Sequence, residues 1–319
     1  MRITKKVAHQ ILEVLDELRE EMKNNEQKDY PYAEWERKRK EVKTKLRMLP
    51  KYVEKATSMI KTEKTTGRPK NLNLTQRTML FLFARLMNKS NRDVEDILGL
   101  LEPIFGISVS YKTIERLYSD EEVKLVLHNL FILLLKDENL SGDISGDGTG
   151  YCLTVTKHYR TNPKKRSKDY KYAFRLIDID TGLYIGVGYS AISEMKAFSQ
   201  AMNMMKELNI PVNSMRLDKY FSSRKVLKLF DKTVTVYIIP KKNISRIGLS
   251  WYRIIRNIID SPYLFLKEYF KRNLSETGFS SDKKRFGGVI RQHREDRQET
   301  ALFSIALLHN LFFVRVVFR

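Results

Sequence analysis

The sequence predicts a mixed α/β domain preceded by an all-α N-terminal region, and three observations support this fold class. Up to about residue 135, apolar side chains recur at spacings of three and four, which is the periodicity of amphipathic helices. From residue 143 apolar and polar side chains begin to alternate, which is typical of strands. Three such strands are followed by helix, strand, helix, strand and helix, an order that predicts a mixed sheet covered by helices.

Residues 1 to 66 predict a basic helical unit. A first helix over residues 1 to 28 has its apolar positions at Ile3, Val7, Ile11, Val14, Leu18 and Met22. Such a helix could pair with another helix of the same chain or of a second copy, so it is a candidate dimer contact. Residues 34 to 64 predict a second helix with a basic face and a break near Pro50, and the polar stretch "TTGRPKNLNLT" predicts a linker.

Residues 67 to 122 predict a helix-turn-helix unit. Three short helices are expected, in the stretches "TQRTMLFLFARLM", "NRDVEDILGLL" and "SYKTIERLYSD". Ser90 and Ser110 immediately precede the second and third helices, where a serine side chain can accept a hydrogen bond from an unpaired backbone N–H. The sequence therefore fixes where these two helices begin.

The third of these helices is a candidate recognition helix. It would present Lys112 and Arg116 to the major groove of DNA, while Arg68 in the preceding basic segment could lie along a minor groove. A three-helix packing module that touches no DNA would give the same pattern, and this alternative stays open.

Residues 136 to 319 predict the mixed-sheet domain. Antiparallel strands are expected in "DISGDGTGYCLTVT", "YKYAFRLIDIDTG" and "LYIGVGYS". The later elements are a helix over 194 to 208, a strand over 213 to 220, a helix over 222 to 230, a strand over 233 to 240, and helical regions over 251 to 285 and 297 to 313. This is the element order of the ribonuclease H-like fold.

The charge of the chain predicts a polyanionic partner. Its 59 Lys and Arg exceed its 38 Asp and Glu, which gives a net charge of +21 and a pI near 9.8. The excess is clustered, since residues 36 to 70 hold 13 basic and 4 acidic side chains. Such clusters indicate contact surfaces for a long anion such as nucleic acid.

A single cysteine excludes an internal disulfide, and no apolar run is long enough for a membrane span, so we expect a cytoplasmic protein without a membrane partner.

Three acids predict a metal-dependent phosphodiester chemistry. In the predicted order Asp147 lies near the end of the first strand, Asp218 ends the fourth strand beside it, and a late helix carries Glu276 above that edge. Converging carboxylates supply the hard oxygen ligands that two Mg²⁺ ions need, and Mn²⁺ could substitute. Such a site would activate water or a 3′-hydroxyl for in-line attack on a phosphodiester.

Each acid has a competitor. Asp143 has the same strand parity as Asp147 and could be the ligand instead, although the glycines flanking Asp147 would allow a close approach of metal and backbone. Asp218 could simply cap the helix that follows it. The remaining rivals are Asp178 and Asp180, which a tight turn explains, and Glu295 and Glu299, which lie outside the four-residue pattern that contains Glu276. His158, His293 and His309 are scattered without the spacing of metal ligands, so we expect them to serve packing or phosphate contacts.

The stretch "YFKRNLSETGFSSDKKRFGG" carries the most specific pattern. Tyr269, Arg272, Glu276 and Lys283 fall within roughly 60° of one another if a single helix continues through them. Gly278 and the following Ser-Ser-Asp weaken that helix, because glycine costs about 1 kcal/mol in a helix interior relative to alanine.

With "SGDGTGYCLTVTKHY" and "RLDKYFSS", this stretch resembles the three acidic motifs of DDE transposases of prokaryotic insertion sequences. The spacing from Tyr269 to Lys283 is similar to the Tyr-Arg-Glu-Lys signature of one cut-and-paste branch. The resemblance covers about residues 67 to 313.

The resemblance implies roles for individual residues. Asp147, Asp218 and Glu276 would ligate the metal ions and carry catalysis, and Tyr269, Arg272 and Lys283 would hold phosphates of the transposon end. Trp251 could stack on a flipped base, although a place in the core is the simpler interpretation.

The resemblance also implies the partners. The protein would bind terminal inverted repeats, cleave and join DNA strands, act on transposon ends and target DNA, and work as a homodimer in a synaptic complex in the nucleoid. A transposase-derived DNA-binding protein without activity and a ribonuclease H-like nuclease are the alternatives.

Overall fold

A computed structural model describes residues 5–24, 32–61, 70–106, 108–153, 170–241 and 248–314. Arg68, His158 and the first five residues of the predicted linker lie outside these ranges. The helices are α1 Lys5–Asn24, α2 Tyr32–Ser58, α3 Leu74–Met87, α4 Asn91–Phe105, α5 Tyr111–Leu117, α6 Glu121–Lys136, α7 Glu194–Glu207, α8 Arg224–Leu227, α9 Leu249–Asp260, α10 Pro262–Phe270, α11 Asn273–Phe286 and α12 Glu295–Phe313. The strands are β1 Asp143–Leu153, β2 Tyr170–Asp178, β3 Tyr184–Ser190, β4 Ser214–Leu217, β5 Thr235–Tyr237 and β6 Val289–Ile290.

The N-terminal helices pack on the rest of the chain. Helix α1 contacts α9 and α10, so within this chain it has a helical neighbour of its own. Helix α2 runs without a break through Pro50, and the predicted break there is wrong. Leu49 and Val53 on either side of the proline are buried, and α2 contacts α3 and α6. Burial of this apolar face outweighs the hydrogen bond that proline cannot donate.

Helices α3 to α5 begin where the sequence predicts. Ser90 caps α4 and forms a capping box with Asp93, and Ser110 caps α5 by accepting from the Thr113 N–H. Ile114 and Leu117 of α5 face the core, which leaves its other side free for solvent. Helix α4 ends at Gly106, whose φ of 64° is a left-handed conformation that glycine adopts at no steric cost.

The sheet has the predicted topology. Its order is β3-β2-β1-β4-β5, in which β1 pairs antiparallel with β2 and parallel with β4. Strand β2 is antiparallel to β3, and β4 is parallel to β5. The mixed sheet of the ribonuclease H-like fold is therefore confirmed. A two-residue strand that was not predicted, β6, pairs in parallel with the last residues of β1, with Val289 opposite Cys152.

The two faces of the sheet are covered differently. Helix α7 packs on β3 and β2, and α11 packs on the other face of β1 and β2. The α7 face needs glycines, because a Cβ on Gly188 would lie 2.0 Å from the Ala197 carbonyl oxygen. The buried apolar side chains form one cluster that extends from α2 and α3 through the sheet to α12. No helix in the described ranges is long and apolar enough to cross a membrane.

The C-terminal region consists of three helices where one region over 251 to 285 was predicted. Ser261 separates α9 from α10, and Lys271 and Arg272 form a tight turn between α10 and α11. The Arg272 N–H bonds to the Tyr269 carbonyl and the Ser275 N–H bonds to the Arg272 carbonyl, three residues apart rather than four. Tyr269 therefore lies on a different helix from Glu276. The prediction that one helical face carries both residues is wrong.

Candidate active site

Strands β1 and β4 bring two of the predicted acids to one edge of the sheet. Their parallel pairing ends with Gly146 opposite Leu217, so Asp147 and Asp218 are the next residues in register. Asp218 makes no side-chain cap to the 3-10 turn that follows it, so the capping role considered for it is absent. Asp143 lies at the other end of the pairing, opposite Ser214, whose hydroxyl donates to it. Of the two rival aspartates, Asp147 is the one beside Asp218.

Glycines flank Asp147 for a reason different from the one predicted. Because side chains alternate along a strand, Gly146 and Gly148 face away from the Asp147 side. A Cβ on Gly146 would lie 2.9 Å from a Leu217 methyl group, and one on Gly148 would lie 2.0 Å from the Glu194 carboxylate. The glycines therefore make room for packing on the opposite face of the sheet rather than for a metal ion.

Helix α11 is docked on β1 next to Asp147. The Ser145 hydroxyl, two residues before Asp147 on the same face, lies 2.5 Å from the Ser275 hydroxyl. Both serines are buried, so this hydrogen bond is shielded from water. It fixes the first turn of α11, and Glu276 follows Ser275 directly. A short polar contact thus brings the third predicted acid to the same edge of the sheet.

Arg272 lies between two of the acids. Its Nη1 is 3.6 Å from Asp147 Oδ1 and its Nη2 is 2.6 Å from Glu276 Oε1. Its Nε is buried and has no hydrogen-bond partner. The guanidinium group therefore neutralises the acidic cluster in part, and one of its donors is left unused.

The electrostatics of Asp147 reflect its crowded position. Burial raises the pKa of its carboxyl to about 6, and the charges of Glu276 and Asp218 act in the same direction. Arg272 and the Gly148 N–H oppose this shift in the pKa without cancelling it. Burial is thus the main cause of the raised pKa, and the nearby acids add to it. A divalent cation at this edge would favour the ionised form of Asp147.

A fourth carboxylate, which was not among the predicted acids, belongs to the same region. Glu194 is the first residue of α7, half-buried against Gly148. Burial raises its pKa, and the charges of Asp147 and Asp218 raise it further. The only signal in the sequence was an acid in the first turn of a helix, which the helix dipole ordinarily explains.

A buried polar network anchors the middle of α11 to the sheet. Asp282 of α11 pairs with Arg175 of β2, and both side chains are at least 98% buried. Tyr184 Oη donates to Asp282 Oδ2 at 2.9 Å, and His309 Nδ1 lies 2.8 Å from Asp282 Oδ1. Burial alone would raise the pKa of Asp282, but His309 and Arg175 outweigh it and lower the pKa.

Gly278 is explained by the same network. It is buried in α11 two residues after Glu276, and a Cβ at this position would lie 2.7 Å from Tyr184 Oη. Helix α11 continues unbroken past Gly278 to Phe286. The predicted weak point is therefore a contact between helix and sheet that only glycine accommodates without displacing Tyr184.

The two other residues of the Tyr-Arg-Glu-Lys pattern, Tyr269 and Lys283, already make contacts within the protein. Lys283 Nζ donates to Thr149 Oγ1 at 2.7 Å and to the Gly150 carbonyl at 3.0 Å, and burial lowers its pKa. Tyr269 is only 7% exposed, close to Arg272, and burial raises its pKa. Both residues border the site, but neither presents an open face to solvent.

Several further predictions can be compared with the structure. Trp251 is 3% exposed on the buried face of α9, so the core interpretation fits it and base stacking does not fit this conformation. Asp178 accepts bonds from Thr181 in the turn that follows it, as expected of turn chemistry, and also from Ser141 just before β1. Glu295 and Glu299 both pair with the buried Lys171.

The predicted recognition helix lies at the surface. Lys112 and Arg116 of α5 are exposed on the side opposite its buried Ile114. Arg297 of α12 pairs with Glu115 and donates to the Ser119 hydroxyl at 3.2 Å, which fixes α5 against the mixed-sheet domain. The geometry permits DNA contact by α5 without requiring it, and the packing-module alternative stays open.

The donor set suits a divalent metal, but it is not assembled as a closed site. Within the described part of the chain, no three acidic, histidine or cysteine side chains are grouped closely enough to hold a metal ion. Glu276 is engaged by Arg272 instead. Carboxylate oxygens are nevertheless the ligands that Mg²⁺ prefers, and Asp147, Asp218 and Glu276 supply them at this edge. The chemistry fits a metal that takes the place of Arg272 beside Glu276.

Comparison with known proteins gives one strong sequence match. The chain is 62% identical over 316 residues to the probable transposase for insertion sequence element ISA1214 of Archaeoglobus fulgidus, an alignment that covers 99% of this chain and 98% of that protein. A looser structural match, to the cryo-EM structure of the piggyBac transposase synaptic complex with hairpin DNA, has a TM-score of 0.45 and 10% identity over 83% of this chain and 70% of that one. No protein-family model matches the chain.

Proposed function

The chain belongs to the transposases of insertion sequence elements, and from that premise we propose that it cleaves and joins DNA at a metal site built from Asp147, Asp218 and Glu276. It would bind the terminal inverted repeats of its element through residues 67 to 122 and move the element by cutting and pasting. Synapsis of two ends requires at least two copies, so a homodimer is the assembly we propose. The observation that carries the proposal is the convergence of the three acids at one sheet edge, with the pKa of Asp147 raised by burial and by the other two.

The three acids would hold two Mg²⁺ ions, and these ions would supply a Lewis acid for the scissile phosphate and an activated oxygen nucleophile. Asp147 and Asp218 are fixed by the pairing of β1 with β4. Glu276 is fixed by the contact of Ser275 with Ser145, because this contact seats the first turn of α11 on β1.

The cations around the acids have a separate task. Arg272 balances Asp147 and Glu276 in the metal-free protein through Nη1 and Nη2, and these two groups would be donors for a phosphate oxygen once metal ions neutralise the acids. Lys283 is held 2.7 Å from the Thr149 hydroxyl on the strand that carries Asp147. We propose that both side chains orient the phosphate backbone of the transposon end, and that Tyr269 supports Arg272 from beneath.

Substitution of Glu276 tests the proposal. Glu276→Gln keeps the size of the side chain and removes its charge, so Mg²⁺-dependent cleavage of the element end should fall by more than the roughly 100-fold seen when only an outer-shell partner of a metal ligand is lost. Binding to the same DNA should persist. Glu207→Gln is the matched control, because Glu207 is an exposed acid in the last turn of α7.

The outcomes separate the candidate functions. Cleavage by Glu276→Gln at the wild-type rate would contradict the assignment of the acid. Wild-type protein that binds the end but never cuts it would instead be a DNA-binding protein without activity. Cleavage without strand transfer into a target would indicate a nuclease.

A further inference from the structure

Helix α2 carries a row of unpaired cations on its solvent side. Lys40, Lys43, Arg47 and Lys51 are exposed and spaced by three, four and four residues, so they lie within about 80° of one another around the helix. We call these four residues the basic stripe. Among the described residues, none forms an ion pair with any of the four. Glu41, the one acid between Lys40 and Lys51, pairs with Lys45 at 3.5 Å.

The basic stripe is held rigidly. The opposite side of α2 buries Leu49, Val53 and Ala56 in the core. Lys45 turns inward, is 5% exposed, and donates through Nζ to the Phe312 carbonyl at 2.7 Å. Because both an apolar face and a buried cation fix the helix, the exposed cations project from a fixed frame rather than from a mobile segment.

A cleft of about 600 Å³ lies beside the basic stripe. Lys43 and Arg47 stand on one side of it and Arg285 of α11 on the other, over an apolar floor that includes Leu46, Leu86 and Phe312. The Arg285 guanidinium carbon lies 4.6 Å from the centre of the Phe312 ring. A planar cation held on an aromatic face keeps its outward N–H groups available to an anion.

This surface is distinct from the candidate active site. Arg285 follows Glu276 by nine residues on α11, which rotates it by about 180° to the opposite side of the helix. A DNA segment held by the acids would therefore not pass straight over the basic stripe. The two surfaces are suited to different segments of DNA.

We propose that the basic stripe and Arg285 bind the phosphate backbone of a second duplex DNA segment, apart from the one at the acids. From Lys40 to Lys51 the stripe rises eleven helical steps, about 16 Å, which is roughly the length of five base pairs. The apolar floor between the cations is suited to contact with deoxyribose. The surface offers fixed charges for phosphates but no element that enters a DNA groove to read bases, so this DNA binding is independent of base sequence. This inference rests on the proposed function, because a transposase must hold more than one DNA segment.

Salt-dependent binding of the full chain tests the inference. Fluorescence anisotropy with a labelled duplex of unrelated sequence, without divalent metal, gives the slope of log K against log salt concentration. The double variant Lys43→Gln/Arg47→Gln should reduce the magnitude of that slope by about 1.8 and weaken binding roughly tenfold at about 0.2 M salt, since each phosphate contact contributes about 0.9 to the slope. The charge-preserving variant Lys43→Arg/Arg47→Lys should retain the wild-type slope.

Lys206→Gln/Lys232→Gln is the matched control. Both lysines are exposed and precede β4 and β5, so they lie at the sheet edge opposite Asp218. This control should leave slope and affinity at wild-type values. All variants should melt at the wild-type temperature, since every substituted side chain is exposed.

Equal slopes for the stripe variant and the control variant would overturn the inference. So would a loss confined to duplexes that carry the terminal repeat, because that result would indicate sequence reading. Failure of the proposed function is distinguishable: it would appear as absent cleavage with Mg²⁺, while this binding assay contains no metal and scores no cleavage.

Discussion

Gly278 offers a sharp test of how α11 is fixed to the sheet. Replacing an interior helical glycine by alanine ordinarily stabilises a protein by up to about 1 kcal/mol. Here the added Cβ would lie 2.7 Å from Tyr184 Oη, a distance that real Cβ contacts do not reach. The two effects oppose each other, and their sizes decide the sign.

Tyr184 cannot move aside cheaply. Its ring is fully buried and stacks on His309 with 3.9 Å between ring centroids, and its hydroxyl donates to Asp282 at 2.9 Å. A hydrogen bond to a charged group contributes about 1.5 to 3 kcal/mol. Loss of that bond exceeds the gain in helix propensity, so Gly278→Ala should destabilise the protein by about 1 kcal/mol.

Gly99→Ala is the matched control. Gly99 is also in a helix interior, in α4, but nothing lies within 4 Å of a Cβ built there. This variant should be stabilised by about 1 kcal/mol. Thermal unfolding followed by circular dichroism should therefore shift the two midpoints in opposite directions, each by about 1.5 °C. Stabilisation of both variants would refute the reasoning about Tyr184.

Two further predictions concern buried charges. Asp282→Asn should lower the free energy of unfolding by about 3 to 5 kcal/mol, because it leaves the fully buried Arg175 without its carboxylate, whereas the exposed Asp180→Asn should change it by less than about 0.5 kcal/mol in the same denaturant titration. Asp147→Asn should stabilise the metal-free protein, because the carboxyl has a pKa of about 6 when folded and an ordinary 3.8 when unfolded, which costs up to about 3 kcal/mol once it is ionised. Because the pKa is raised in the folded state, this cost is absent below about pH 4 and complete above about pH 7. The melting temperatures of variant and wild type should therefore converge in acid. A difference that persists at low pH would contradict the raised pKa of Asp147.

The sequence was sufficient for the order of the sheet and for several helix ends. Alternation in β1 to β3 and the caps Ser90 and Ser110 are local signals, and local signals survive folding. The resemblance to transposases of insertion sequences is likewise confirmed by the 62% identical relative. The Tyr-Arg-Glu-Lys branch, the domain boundaries and the site roles remain predictions.

Long-range contacts account for most of what sequence could not show. Gly278 looked like a helix breaker because its partner Tyr184 is distant in sequence. Pro50 looked like a helix end because burial of the flanking Leu49 and Val53 is a tertiary effect. Glu194 looked like an ordinary acid in the first turn of a helix, since only the docking of α7 on Gly148 brings it near Asp147.

The central claim is that Asp147, Asp218 and Glu276 together hold the metal ions. Anomalous diffraction from crystals of the protein with a transposon-end duplex and Mn²⁺ tests it most directly, because Mn²⁺ takes the same oxygen ligands as Mg²⁺ and its position can be identified without assumptions about activity. The account predicts anomalous peaks between the three carboxylates, with Glu276 released from Arg272. Peaks ligated elsewhere, or Glu276 still paired with Arg272 in a crystal that carries DNA and Mn²⁺, would contradict it.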